Sequence, residues 1–500
     1  MNRYNITGAL YPPDNKLIWA LVFCFIVLIH GFINQFQVPN MDEIWNYQFA
    51  RRILYGQIPY RDFLMLNTPL SAQINALMLY LFSDKLIVMR WVAAFIAGLN
   101  GVVFFVTLRL IGKTLVASLL YTSILVLLFL LNPQNNYSWY AVFFLSLALL
   151  LEVIRLNRSG DSDKRTYDLL IGVFLGLSIM TKQNIGMAAL IAALLFNLFE
   201  NRLYRSEGGA SISVLFSSMV LKMLGTSIPI IAEILWLRSN QSLHAFTNTF
   251  DNISNFTSIN HFAFWFQSSY TVSLLAALSI LALVSFSQVF NWNNRIMERQ
   301  LYMLLSLYAL ANCAMIYPMP DPAHIWFGMP LFVIAFGVTS VHLLSKAIGR
   351  AMVYCLLTVI LILLLMPFQN LHKYDNHDLK HYELIPLHQE LYKSTVTIND
   401  YILNQESSGK NVFFLNYQAP RFLIPLDKFG YRYDTLLTGD LGFKGENDVI
   451  EKLANADGAV VLIAGIPSER HRFESQAIQD YVRNNMQYTD HMYGFDIYTR

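Results

Sequence analysis

The chain has 500 residues, of which 55% are hydrophobic and 14% are charged. Soluble domains carry about a quarter charged residues, and here the apolar surplus falls in long runs, which excludes an ordinary soluble globule and indicates an integral membrane protein. A formal net charge of only +2 gives no polyanion-binding surface, so no nucleic-acid partner is expected.

The first apolar run, Leu17 to Phe36, is longer than a signal-peptide core and lacks a small-residue cleavage site, so it is expected to remain as a helix. Further apolar runs cover 87–110, 115–131, 138–156, 167–181, 185–199, 213–237, 268–290, 300–317, 325–344 and 350–368. With about 20 residues needed per crossing, the reading is an α-helical polytopic membrane protein with about eleven transmembrane helices. Cys24, Cys313 and Cys355 all lie inside these runs and read as small hydrophobes, not as a disulfide framework. Basic residues cluster in alternate loops: Arg109 and Lys113; Arg155, Arg158, Lys164 and Arg165; Arg202 and Arg205; Arg295 and Arg299; Lys346 and Arg350. The loops 132–137 and 318–324 between them are nearly free of charge. The basic side is cytoplasmic by the loop-charge bias. The N-terminus is then inside, while segments 37–86 and 238–267 and the tail lie outside, as for a plasma (inner) membrane protein. Lys222, in the inner half of one span, is expected to snorkel, and Glu233 to face the interior.

From about 369 the composition changes. Val412 to Leu415, Ala459 to Ala464 and Phe495 to Thr499 read as strands, and Glu446 to Ala456 and Phe473 to Met486 as amphipathic helices. Two domains follow: a transmembrane domain over 1–368 carrying the external loop 37–86, and a small extracytoplasmic α/β domain over 369–500.

The external loop opens on Asn40-Met41-Asp42-Glu43 directly after the first span. A carboxylate at the membrane boundary is partly desolvated, which raises its basicity and suits a general base. Neighbouring side chains on a helix diverge by about 100°, so only one of the pair faces a given acceptor. The same pair equally suits a helix N-terminus, where the dipole favours acids. Position alone leaves both readings open.

Tyr47, Ala50-Arg51-Arg52, Gly56, Pro59-Tyr60-Arg61-Asp62-Phe63 and Thr68-Pro69-Leu70 follow, then an amphipathic run from Ala72 to Phe82 and Met89-Arg90-Trp91. This order resembles the GT-C glycosyltransferases, specifically the family 39-like group of protein O-mannosyltransferases and lipid A aminoarabinose transferases. Thr68 stands where that family has the first proline of a Pro-Pro-Leu turn, and Asn67 where some members have lysine. The resemblance continues through Gly176-Leu177, Met180-Thr181-Lys182-Gln183-Asn184, Tyr317-Pro318, Asp321, His324 and Pro330, and covers about 1–345.

The resemblance implies a GT-C-like fold and an inverting hexosyl- or pentosyltransferase. Its donor would be a polyprenyl-phosphate sugar with its tail in the lipid bilayer, and its acceptor a glycan, lipid or protein. Asp42 is then the expected base, with Glu43 in support. The leaving phosphate needs a cation; Lys182 is the first candidate, with Arg61 and Arg90 as alternatives that could instead pair with Asp62 or Asp84. Gln183, Asp62, Asp321 and His324 complete the expected substrate contacts. No cofactor is required, and a divalent metal stays open: Asp321 and His324 could join Glu43, and His377 and His381 stand one helical turn apart with His388 nearby. The competing reading is a transporter or flippase of lipid-linked glycan, which should show internal repeats and ionisable groups near the midplane.

Overall fold

The computed structural model describes residues 16–158, 161–205, 212–249, 286–290, 296–317, 322–340, 374–375, 379–429, 445–465 and 475–500, with single helical positions at 272, 276 and 283. The expected span 350–368, most of 268–290, Cys355, Asp321 and His377 lie outside the described residues.

In chain order the helices are α1 (Lys16–Gln35), α2 (Met41–Leu54), α3 (Leu70–Leu81), α4 (Leu86–Leu110), α5 (Leu115–Leu131), α6 (Tyr137–Leu156), α7 (Asp161–Ile179), α8 (Gln183–Arg205), α9 (Ile212–Ser239), α10 (Ile296–Asn312), α11 (Pro322–Gly328) and α12 (Pro330–Ser340). Among the described residues, α1, α4, α6, α8 and α9 are long and apolar enough to cross a membrane, and α5 is a shorter apolar helix. The protein is a multi-pass helical membrane protein.

Two expected spans are broken in the structure. The run 325–344 is not one helix: α11 ends at Gly328 and α12 begins at Pro330. Pro330 cannot donate a backbone hydrogen bond and disfavours the helical region for the residue before it. The run 300–317 is α-helical only to Asn312 and then tightens into a 3-10 turn, Cys313–Ile316. Asn312 compensates for the first break, since its Nδ2 donates to the carbonyls of Phe327 and Gly328 at 3.2 and 2.8 Å. In lipid such freed carbonyls must find a partner within the protein.

The chain forms two compact units. The first comprises Met1–Asn34, Arg90–Glu233 and Phe262–Pro367. Small residues set its closest helix contacts. A Cβ on Gly172 would stand 2.1 Å from the Lys222 carbonyl oxygen, and one on Gly225 the same distance from that of Leu169. Gly176, one turn beyond Gly172, meets Thr226 and Pro229. This Gly-x-x-x-Gly seam lets α7 and α9 touch backbone to backbone, the usual device where lipid offers no hydrophobic drive for association.

The second unit comprises Gln35–Met89, Ile234–His261 and Phe368–Arg500. Its tail holds a short pair, β1 (Tyr374–Asp375) with β2 (Leu387–His388), then α13 (Gln389–Ser407), β3 (Asn411–Phe414), α14 (Ala419–Leu423), α15 (Gly445–Asn455), β4 (Ala459–Ala464), α16 (Gln476–Asn485), β5 (Gln487–Met492) and β6 (Phe495–Thr499). The four-stranded sheet runs β3-β4-β6-β5, with β3 parallel to β4 and the other pairs antiparallel. Alternation along β4 divides the core. Val460 and Leu462 pack with Ile398 and Ile402 of α13, while Val461 and Ile463 pack with Val449, Leu453, Ile478 and Val482 of α15 and α16. Helices thus cover both faces, as in a small α/β domain. In the same unit the tail packs on α2: Tyr382, Ile385, Leu387 and Ile424 share a core with Ile44, Tyr47 and Ala50.

Candidate active site

In the second unit, α2 begins with the expected acidic pair. Asn40 caps the helix, its Oδ1 accepting the Glu43 backbone N–H at 2.8 Å. Asp42 and Glu43 fill the first turn, where the helix dipole favours them. Their environments differ: Glu43 is fully buried, Asp42 only half-buried. The roughly 100° divergence of adjacent helical side chains has separated them into one interior and one accessible carboxylate.

The following loop is closed on itself. Arg61 forks onto Asp62 through Nε–Oδ1 at 2.8 Å and Nη2–Oδ2 at 2.7 Å, and Asp62 Oδ2 also accepts the Ile58 N–H at 2.7 Å. Arg61 Nη1 donates to the Asn240 carbonyl at 3.3 Å. Tyr60 sits at φ +68°, costly for a residue with a Cβ. It is held there by its N–H to the Phe63 carbonyl, by its hydroxyl to the Asn67 carbonyl (2.7 Å each), and by edge packing on Phe246.

Three turns into α2 lies a second polar centre. Arg51 is fully buried between the rings of Tyr47, Tyr55 and Phe429, and its Nη2 donates to Asp427 Oδ1 at 2.8 Å. His381 bonds the same carboxylate through Nε2 and the Asp84 carbonyl through Nδ1, while Lys380 binds Asp427 Oδ2. Partial burial would raise the Asp427 carboxyl, but hydrogen bonds and charge from Lys380 and His381 outweigh it and bring it down to about 2. Burial pushes the Tyr47 phenol well above its ordinary value despite Arg51, so it stays a neutral donor to the Asp84 carbonyl. The hydrogen bond to Asp84 raises Tyr55.

Ligand atoms of Asp84, His381 and Asp427 lie within 4.8 Å of one another, close enough to surround a divalent ion. The donor set fits one poorly. Arg51 and Lys380 already neutralise Asp427, and a metal would have to displace both cations. His388, exposed at the N-terminus of α13, is not among these three residues.

In the first unit, the turn between α7 and α8 presents Lys182. It is buried, with Nζ 3.3 Å from Ser138 Oγ and 5.1 Å from the centroid of the Tyr137 ring, both in the first turn of α6. Gln183 starts α8, and Asn184 anchors the turn by donating to the carbonyls of Ala314 and Tyr317 at 2.7 and 3.0 Å. Arg90 is fully buried and donates from Nη1 to the Asn34 carbonyl at 2.7 Å. His324 lies on α11 with its ring edge-on to Phe327.

The sequence reading missed a buried ionic cluster across α6, α7, α8 and α9. Arg155 Nε meets Glu152 Oε2 at 2.8 Å, Arg155 Nη2 meets Glu200 Oε2 at 2.6 Å, and both Arg155 and Lys222 stand 3.5 Å from Asp168 Oδ1. Lys222 also binds Glu152 and, at 2.8 Å, Asn197 Oδ1. The snorkelling expected of Lys222 is therefore overturned: it is fully buried, because the α7–α9 seam sets it against Asp168 with no path to water. Arg155, read as a loop residue, is buried as well. The available signal was Glu152 and Arg155 three residues apart inside an apolar helix. Glu233 is buried as expected.

No family model matches the chain, and no curated protein matches it in sequence. Among solved structures it is similar to ArnT from Cupriavidus metallidurans in the apo state, with 12% identity and TM-score 0.56 over 97% of this chain and 98% of that one. ArnT bound to undecaprenyl phosphate matches with 13% identity and TM-score 0.54, over 96% and 98%. The Archaeoglobus fulgidus oligosaccharyltransferase, in complex with zinc and sulfate, matches with 11% identity and TM-score 0.52, over 88% of this chain and 67% of that one. At such identities the likeness concerns the fold: the chain has the GT-C fold of these membrane proteins over nearly its whole length.

Proposed function

We propose that the protein is a membrane glycosyltransferase that moves a sugar from a polyprenyl-phosphate carrier to a hydroxyl acceptor on the extracytoplasmic side. The observation that carries this reading is the capped acidic pair of α2, which keeps one carboxylate accessible and buries the other. It gains weight from a fold shared with ArnT, a protein solved with undecaprenyl phosphate. The loop-charge bias supports a cytoplasmic N-terminus in the inner membrane and an extracytoplasmic domain from about 369.

Asp42 takes the proton of the acceptor hydroxyl as that oxygen attacks the anomeric carbon. The bond from that carbon to the phosphate oxygen breaks on the opposite face, inverting the centre, and the carrier leaves as a phosphate monoester. Glu43 orders the first turn of α2 around the base. Lys182 is the preferred partner of the leaving phosphate. Its ammonium lies at the first turn of α6, whose dipole is also positive, and two positive sources at one place attract an anion. Arg61 is bidentate on Asp62 and Arg90 is hydrogen-bonded to Asn34, so both are less available. Gln183 and His324 serve as secondary substrate contacts, as does Asp321. No step requires a metal.

The test is transfer from radiolabelled polyprenyl-phosphate sugars to a panel of glycan, lipid and protein acceptors by the purified protein. Asp42→Asn should lower the rate about 10²–10⁴-fold while the protein stays folded. Lys182→Met should reduce turnover more than donor binding, because phosphate charge grows towards the transition state. Wild-type rates in Asp42→Asn would remove it from the mechanism in favour of Glu43. The transport reading draws on the buried ionic cluster, but its groups bind one another rather than line an open path. Movement of a fluorescent polyprenyl-phosphate glycan across liposomes without sugar transfer would support it instead.

A further inference from the structure

Among the described residues, the cluster on α6–α9 does not balance. Glu152, Asp168 and Glu200 bring three negative charges, and Arg155 and Lys222 bring two positive ones, all buried. A net charge inside the bilayer is expensive, and a group so placed usually neutralises by binding a proton. The three carboxylates are not equivalent. Glu152 is held by both Lys222 and Arg155, and Glu200 by Arg155 at 2.6 Å. Asp168 Oδ1 meets the two cations only at 3.5 Å and has no hydrogen-bond partner, while Ser218 bonds the same carboxylate.

A second orphan faces the same place from α10. The Tyr308 side chain is fully buried, its hydroxyl lacks any hydrogen-bond partner, and it lies within the fields of Glu152, Arg155 and Asp168. A phenol among carboxylates should donate to one of them or accept from a protonated one. Asp168 Oδ1 and the Tyr308 hydroxyl are thus two buried polar atoms without hydrogen-bond partners in one charged cluster.

We propose that the cluster is a proton-binding site, with one proton resident on Asp168 Oδ1. The proton comes from water, turning the carboxylate into a carboxylic acid and bringing the cluster to zero net charge. The groups that fix it are Glu152 and Arg155 on α6, Glu200 on α8, Lys222 on α9 and Tyr308 on α10, with Ser218 bonding Asp168 from α9.

The experiment is infrared difference spectroscopy of the full-length protein in nanodiscs at neutral pH, paired with thermal melts. Subtracting the Asp168→Asn spectrum from the wild-type one should leave a protonated-carboxyl stretch, and Tyr308→Phe should retain it. Asn mimics the protonated acid, so Asp168→Asn should melt within about 2 °C of wild type. Glu152→Gln, which breaks a true ion pair, should melt lower by about 5 °C or more. No carboxyl stretch in the difference, or an Asp168→Asn as destabilised as Glu152→Gln, would overturn the site.

Discussion

The ionic cluster of α6–α9 and the Arg51 centre of the second unit use the same kinds of side chain to different ends. In the first, the ion pairs are closed and water is excluded. In the second, the guanidinium is buried under three aromatic rings, but its partner Asp427 is 41% exposed and shared with Lys380, itself 59% exposed. Equal bond lengths therefore do not mean equal energies. Desolvation makes the inner pairs costly to break and gives little net gain for having them, whereas solvent screens the outer one.

The comparison is broken most directly at Lys222. Lys222→Met leaves a buried carboxylate uncompensated and should cost about 3–5 kcal/mol, read from denaturation midpoints in detergent. Replacing Glu152 and Lys222 together by leucine should recover much of that loss; a double variant as unstable as the single one would mean the pair itself stabilises the fold. At the outer centre, Asp427→Asn should cost about 1 kcal/mol or less after screening by solvent. Acid sharpens the contrast. The folded Asp427 carboxyl lies near 2, below its unfolded value, so its stabilisation is present above the ordinary carboxylate range and fades as pH falls towards about 2. Melts of wild type and Asp427→Asn should thus converge between about pH 4 and pH 2. Smallest of all, Lys380→Ala should leave the melting temperature unchanged within error, and a clear drop would mean the exposed bridge is stronger than its surroundings allow.

Long apolar runs made most helices legible to within a few residues; β4 was readable from an unbroken apolar stretch and β6 from β-branched and aromatic residues interrupted only by Asp496. β5 was not, because five of the six residues of Gln487–Met492 are exposed on an edge strand and carry no apolar alternation. The break at Met329 was hidden because Gly328 and Pro330 interrupt a stretch whose hydropathy does not change. For the site, Asp42, Glu43 and Lys182 were visible as charges at predicted outer turns. The Arg51–His381–Asp427 centre was not, since its members are 330 and 46 residues apart and no local period joins them. Lys222 was misread because a lone lysine in a span looks the same whether it reaches water or a partner.

The order in which the cluster's members are synthesised gives the seam between α7 and α9 a further meaning. Glu152, Arg155, Asp168 and Glu200 all leave the ribosome before Lys222 does. Until α9 enters the bilayer, the partly inserted chain holds three acids against one arginine. The glycines that let α9 lie flat on α7 therefore do more than set a spacing: they bring in the last charge. A bulky residue at Gly172 or Gly225 would be felt first during biogenesis, as a protein degraded before it is finished, and only afterwards as a weaker fold.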